Sequence, residues 1–442
     1  MSSVRRLFLR LALGAVMLVP AAAKAQTFQT LYSFAGSPDG RFPSGVVFDT
    51  NGNLYGTTLY DGNSTACGDQ GCGTVFKLAP PAEGQTAWTE SLYPFTGSPD
   101  GADPNAGLVL MNGALYGTTA YGGYANDTTC QGGCGTVFEL DPTTQALITL
   151  YTFTGVSFSG GPYAGLVFGA KGALYGTTEG GDGASPIYSE VFKLTPPGWT
   201  FATLHTFPHI DGEASEVVFD KAGNLYGATS SGGGGGSSVC GRDECGTVFK
   251  LNPVSRTLTT LHAFTGGADG GTPKRGLTIN YLANGTFVLY GVTTAGGGKS
   301  KAGTVFELNP TTKALTTLHA FAGGADGGTP SGLAFNGGSL YGTTLFGGNT
   351  SDCSSFGGCG VVFRLAPPAK GHAAWTETVL HTFAGGADGG GPLGRLVFDT
   401  KGALYGTTVI GGDNTACSDN SGFLDVPTDA PPGCGVVFKL TP

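Results

Sequence analysis

Charge is scarce in this chain: only 12 % of its 442 residues are Asp, Glu, Lys or Arg. Long amphipathic helices need a charged face and avoid glycine, so 80 glycines and so few charges argue against an α-rich architecture. Beyond the N-terminus no apolar run reaches 18 residues, which removes a transmembrane segment from the mature chain. Lys/Arg clusters are missing too, and the acidic excess repels phosphate backbones, so nucleic acid is excluded as a partner. No Ser/His/Asp arrangement, paired metal-ligand histidines or phosphate-binding glycine loop with a following helix is present. The run Gly232–Gly236 is a flexible loop and not a nucleotide motif.

What remains is rich in Phe (28) and Tyr (16), with recurring Leu and Val, and describes a turn-rich, all-β protein with a real core. The first 25 residues read as an export signal. Arg5, Arg6 and Arg10 supply positive charge, Leu11 to Val19 is apolar, and Ala23-Lys24-Ala25 offers a cleavage site before Gln26. Arg5-Arg6-Leu7-Phe8-Leu9-Arg10 resembles a twin-arginine motif, but paired arginines also occur in general secretory signals, so both routes stay open. Cleavage removes four basic residues and leaves 18 against 31 acidic ones, a net charge of −13. The expected location is periplasmic or extracellular.

The block Leu-Tyr-Gly-x-Thr recurs, its tyrosine at 55, 116, 175, 226, 290, 341 and 405, a mean period of about 58 residues. Three other short runs accompany it in fixed order. A Gly-Leu-Val-Phe-Asp-like run precedes it (Gly45–Asp49, Arg395–Asp399); Gly-Thr-Val-Phe-Lys/Glu-Leu follows (Gly73–Leu78, Gly303–Leu308). Thr-Leu-His/Tyr-x-Phe comes last, as at Thr260–Phe264. Each is β-branched or aromatic and bounded by Gly, Pro, Asn or Asp, the signature of a strand. Four antiparallel strands, A to D, repeated seven times predict a seven-bladed β-propeller spanning 26–442. The chain starts on a lone D strand, Thr30–Phe34, and ends after A, B and C of a seventh copy, so the first strand is expected to complete the last blade and close the ring.

The seven Leu-Tyr-Gly-x-Thr blocks, the Gly-Thr-Val-Phe strands and the Gly-Ala-Asp-Gly-Gly loops at Gly267–Gly271 and Gly324–Gly328 resemble GloVer, a bacterial exported tandem-repeat family also described as choice-of-anchor. The resemblance covers the chain after Gln26. It implies a surface or secreted propeller-like array and brings no catalytic residues to carry over. No C-terminal anchor is visible, which points to release or periplasmic residence.

Ten cysteines fall as pairs in five repeats, always between strands B and C: Cys67/Cys72, Cys130/Cys134, Cys240/Cys245, Cys353/Cys359 and Cys417/Cys434. Gain or loss in pairs implies that each pair bonds to itself, which export permits. Zinc would need four neighbouring cysteines, and these pairs belong to different blades.

In such a propeller the D–A and B–C connections share one face. Disulfide loops and Asp-Gly loops lie there, and function favours elaborated loops on a rigid scaffold. Six D–A loops carry an aspartate: Asp39, Asp100, Asp211, Asp269, Asp326 and Asp388. These are candidate ligand-binding residues, as an acidic ring for cations or sugar hydroxyls; the competing reading is an Asp-Gly turn in which the carboxylate bonds its own loop. His205, His262, His319 and His381 share one strand-D position with Tyr32, Tyr93 and Tyr151, lie in different blades, and fit interblade packing. Asp49, Asp220 and Asp399 end strand A where lactonase propellers take calcium ligands, but each precedes a glycine-containing turn.

Three functions follow: a monomeric, non-catalytic binding module for a glycan or protein, a calcium-dependent hydrolase or lyase, and a structural envelope component. Near-uniform A strands weigh against catalysis. Variable B–C loops, from eight residues at Ala295–Ala302 to 26 at Val409–Cys434, favour binding. No cofactor is expected unless calcium is one.

Overall fold

In the computed structural model, residues 26–124, 132–154, 161–179, 189–208, 213–233, 240, 245–348, 353, 357–372, 374–412, 417 and 432–441 are described. They form seven antiparallel sheets arranged as blades. Blade 3 shows the pattern: Val167–Phe168, Leu174–Thr178, Ser189–Thr195 and Thr200–Phe207 pair in that order, strands A to D. Blade 7 differs only in chain connectivity. Its strands A to C are Gly390–Phe398, Leu404–Ile410 and Val436–Thr441, and its D strand is Thr27–Ser33 from the start of the described chain. Thr27 pairs with Thr441 and Ser33 with Val436, so the two ends are hydrogen-bonded into one sheet.

The repeat motif has a packing reason. Strand B is buried along its length, as at Leu54–Tyr60. Its glycine lies opposite the strand-C phenylalanine, Gly56 against Phe76, and a methyl on Gly56 would stand 2.5 Å from the Phe76 ring. Only glycine leaves the ring that space. The glycine opening strand C has a different reason: Gly73 sits at φ 82°, and a side chain there would meet the Thr58 carbonyl and Pro104 of the next blade.

Phenylalanines then join the blades. The strand-D residue of one blade packs on the strand-C residue of the next: Phe95 on Phe138, Phe153 on Phe192, Phe207 on Phe249. Phe264 on Phe306, Phe321 on Phe363, Phe383 on Phe438 and Phe34 on Phe76 complete the circle, at 5.1 to 5.4 Å between centroids for the whole set. The core is therefore annular and lies between blades.

Disulfides close Cys67–Cys72, Cys240–Cys245, Cys353–Cys359 and Cys417–Cys434, each within one blade and with Cα atoms 5.2 or 5.3 Å apart. Cys134, directly before the glycine that opens strand C of blade 2, is buried and disulfide-bonded as well. The partner expected for Cys134 is Cys130, which lies outside the described residues, as do the export signal and Asp211. The Cys130/Cys134 pairing therefore stands on the repeat pattern, whereas the other four pairs are seen directly. Among the described residues, no helix is long and apolar enough to cross a membrane.

Candidate functional site

The residue at the start of strand A brings several blades close together. Aligning the repeats on Leu/Val-Val-Phe gives Gly45, Gly107, Gly165, Glu216, Gly276, Gly332 and Arg395 at that one position. Five glycines make room for two charges. The Arg395 guanidinium lies 3.8 Å from the Glu216 carboxylate and donates to the Leu277 carbonyl at 3.1 Å, spanning blades 7, 4 and 5. A methyl on Gly276 would meet the Glu216 carboxylate at 3.0 Å and the Arg395 guanidinium at 3.3 Å. The two charges of this ring are thus paired with each other across blades.

The A-strand aspartates are saturated by their own turns. Asp49 accepts from the backbone N–H of Asn51 and Asn53 at 2.8 and 2.9 Å, from the Asn53 amide at 2.6 Å, and from the Tyr55 hydroxyl at 3.1 Å. Asp220 and Asp399 repeat the arrangement with Tyr226 and Tyr405. Burial opposes ionisation of Asp49, but these donors outweigh it and hold the carboxyl below its usual range. The motif tyrosine is therefore a cap for the A–B turn.

The D–A loop aspartates are held in a similar way. Asp39, Asp100, Asp269, Asp326 and Asp388 each accept from the backbone N–H four residues earlier, at Ala35, Thr96, Thr265, Ala322 and Ala384. Each also meets the strand-D residue seven positions before it: Tyr32 at 3.1 Å, Tyr93 at 3.3 Å, His262 at 3.1 Å, His319 at 3.4 Å and His381 at 3.1 Å. The aspartate and His/Tyr series are one device, and its signal in the sequence is the fixed seven-residue offset between Tyr32, Tyr93, His262, His319 or His381 and the loop aspartate. The carboxylates are engaged by the outer strand of their own blade.

Two positions break this regularity. Opposite the strand-C leucine, strand D carries Phe28, Leu147, Phe201, Leu258 or Leu315 in five blades but Glu90 and Glu377 in the other two. Phe28 stacks on His381 of the preceding blade at 3.9 Å, and Phe201 on Tyr151 at 4.7 Å. Glu90 instead places Oε2 2.8 Å from the Tyr32 hydroxyl, beside Asp39. Burial, then the neighbouring Asp39, push Glu90 up to about 8. Glu377 rises to about 7, again by burial and then by Asp326.

The loop-rich face holds a cleft of about 490 Å³ between blades 1 and 2. Its walls are the two B–C loops (Cys67, Gln70, Gly71 and Tyr121) and the D–A loop between them (Thr96 to Ser98, Ala102 and Asp103). The first disulfide shapes one wall. Backbone bonds fix the other: Ala102 and Tyr121 exchange both of theirs, at 2.8 and 3.0 Å, and Asp103 N–H donates to Cys72. Burial alone raises the Asp103 carboxyl to about 7. Among the described residues no hydrogen bond or ion pair engages that carboxyl. Tyr121 stays 42 % exposed, and the Tyr163 hydroxyl donates to its oxygen at 2.8 Å. Asp103, Tyr121 and Tyr163 escape notice in the sequence because each stands at a loop position that varies from blade to blade.

Fold and face together define a class: a seven-bladed β-propeller with its elaborated loops on one side. Within that class, the model of the Gloeobacter/Verrucomicrobia repeat matches residues 13–131, 127–356 and 237–424, and the chain belongs to that family. No protein of curated function matches it in sequence. Among solved structures it is similar to the extracellular domain of BT4673 from B. thetaiotaomicron, at 11 % identity and TM-score 0.50, over 94 % of this chain and 42 % of that one. The chain thus spans well under half of that structure's length. A 6-phosphogluconolactonase candidate from Bacteroides fragilis is similar at 14 % identity and TM-score 0.47, over 81 % of this chain and 95 % of that one. At such identities the likeness shows fold alone.

Proposed function

We propose that the chain is an exported, monomeric, non-catalytic binding propeller that takes a glycan or protein ligand on the face carrying the disulfide and D–A loops. The observation that carries this reading is the cleft between blades 1 and 2, an open concavity on a disulfide-braced wall with a carboxyl that the described protein leaves unengaged. Its size suits a small ligand or a ligand's protruding group. Export agrees with the N-terminal signal pattern and with intrablade disulfides, which persist in oxidising compartments.

A thermal-shift and glycan-array screen of residues 26–442, run beside lactone and ester turnover assays with calcium or a chelator, tests the proposal. A rise in melting temperature with a ligand and no turnover is expected. Calcium-dependent turnover would sink the non-catalytic reading.

A further inference from the structure

Resting on the loop-face reading, we propose that the cleft between blades 1 and 2 is a subsite for a neutral sugar ring, Tyr121 covering its apolar face and Asp103 accepting from its hydroxyls. Sugar rings present axial C–H groups on one face and hydroxyls at the edge. A site for them needs an exposed aromatic plane beside oriented polar groups. Tyr121 supplies the plane, and it is held in place: Ala102 pairs with its backbone, and the Tyr163 hydroxyl is spent on its oxygen. Because Tyr163 is the donor, the Tyr121 hydroxyl proton stays free for an acceptor on the ligand.

Asp103 supplies two acceptor oxygens that no described side chain uses, and Gln70 is among the other lining residues of the cleft. A lone carboxyl is a poor metal site, and among the described residues no three His, Cys, Asp or Glu side chains are grouped to hold a metal. Acidic sugars are disfavoured by this carboxyl and by a mature charge of −13. Burial also keeps Asp103 from ionising fully at neutral pH, which favours hydroxyl partners over an ammonium group.

The test is calorimetric titration of residues 26–442 with cellobiose, maltose, xylobiose, mannobiose, galacturonate dimer and glucosamine. The proteins are wild type, Tyr121→Ala, Tyr121→Phe and Asp103→Asn. Asn tolerates the positive φ of 56° at this position, and Tyr121 is exposed enough for its loss to spare the fold, which circular dichroism verifies. We expect at least one neutral disaccharide to bind, Tyr121→Ala to weaken it about tenfold or more, Asp103→Asn to weaken it severalfold, and Tyr121→Phe to keep most of it. Disaccharide binding that survives Tyr121→Ala and Asp103→Asn overturns the cleft while sparing the loop-face reading. Binding of glucosamine or the galacturonate dimer alone overturns the neutral-sugar assignment. Absence of binding by every sugar overturns the inference, and leaves the wider reading to its own screen with protein ligands.

Discussion

Phe34 packs against Phe76 with centroids 5.1 Å apart, which joins the first strand of the described chain to blade 1 while that strand completes blade 7. Both rings are fully buried. Phe34→Ala is expected to destabilise by about 3–5 kcal/mol, like other large-to-small changes in a packed core. Deleting 27–34 should do more, exposing the edge of strand C in blade 7 and promoting association. Urea denaturation and light scattering check both. An unchanged transition would mean that the ring does not depend on this strand.

The glycine of the repeat motif makes a second test. In Gly117→Ala the new methyl would lie 2.5 Å from the Phe138 ring and 2.8 Å from Leu108. Overpacking of this kind costs about 1–3 kcal/mol. The same substitution at Gly107, which has open space around it and, like Gly117, no positive φ, isolates the backbone contribution. If the two variants lose stability equally, the contact with Phe138 is not the reason for the motif.

Glu90 and Glu377 predict the pH dependence. Their folded values, about 8 and about 7, lie above the ordinary 4.5 of a glutamate. The folded chain therefore binds more protons than the unfolded one in that window. This contribution to stability is complete below about pH 4.5 and is lost as pH rises toward 8. Glu90→Gln keeps the neutral shape and removes the ionisation. It should match wild type near pH 4.5 and exceed it by about 1–2 kcal/mol at pH 8. An identical difference at both pH values would rule out a raised ionisation of Glu90.

Each short disulfide loop restrains the unfolded chain by about 2 kcal/mol in the loop-entropy view, and the 17-residue Cys417–Cys434 span by about 3 kcal/mol. Reduction should lower the melting temperature without unfolding the propeller, because the circle of phenylalanine contacts between blades involves no disulfide and the buried cysteines can stay packed as thiols. Non-reducing peptide mapping should find only intrablade bonds, with Cys134 joined to Cys130. A bond between two blades would contradict the pairing.

The pore pair should contribute little. Arg395 and Glu216 are 37 % and 35 % exposed and 3.8 Å apart, so Glu216→Gln is expected to change stability by less than about 1 kcal/mol, and less still in high salt. Replacing both charges with glycine should leave the fold intact and widen the channel to solvent, which crystallography or ion-soaking would reveal.

Seven strand quartets, their order and the lone D strand at the start were legible in the sequence, because blade formation is local and repeats the same chemistry. The Leu-Tyr-Gly-x-Thr blocks, their β-branched and aromatic companion runs and the Asp-Gly turns recur in fixed order, and in-phase cysteine pairs specify intrablade bonds. Partnerships between blades were not legible in the same way. Glu90 reaches Asp39, Arg395 reaches Glu216 and Tyr163 reaches Tyr121 across separations that no periodicity within one repeat encodes. Closing the circle sets those distances. The sequence by itself determined the blades; the tertiary structure decided the Arg395–Glu216 pair, the buried Glu90 beside Asp39 and the cleft, because each is made where symmetry-breaking side chains of different blades converge.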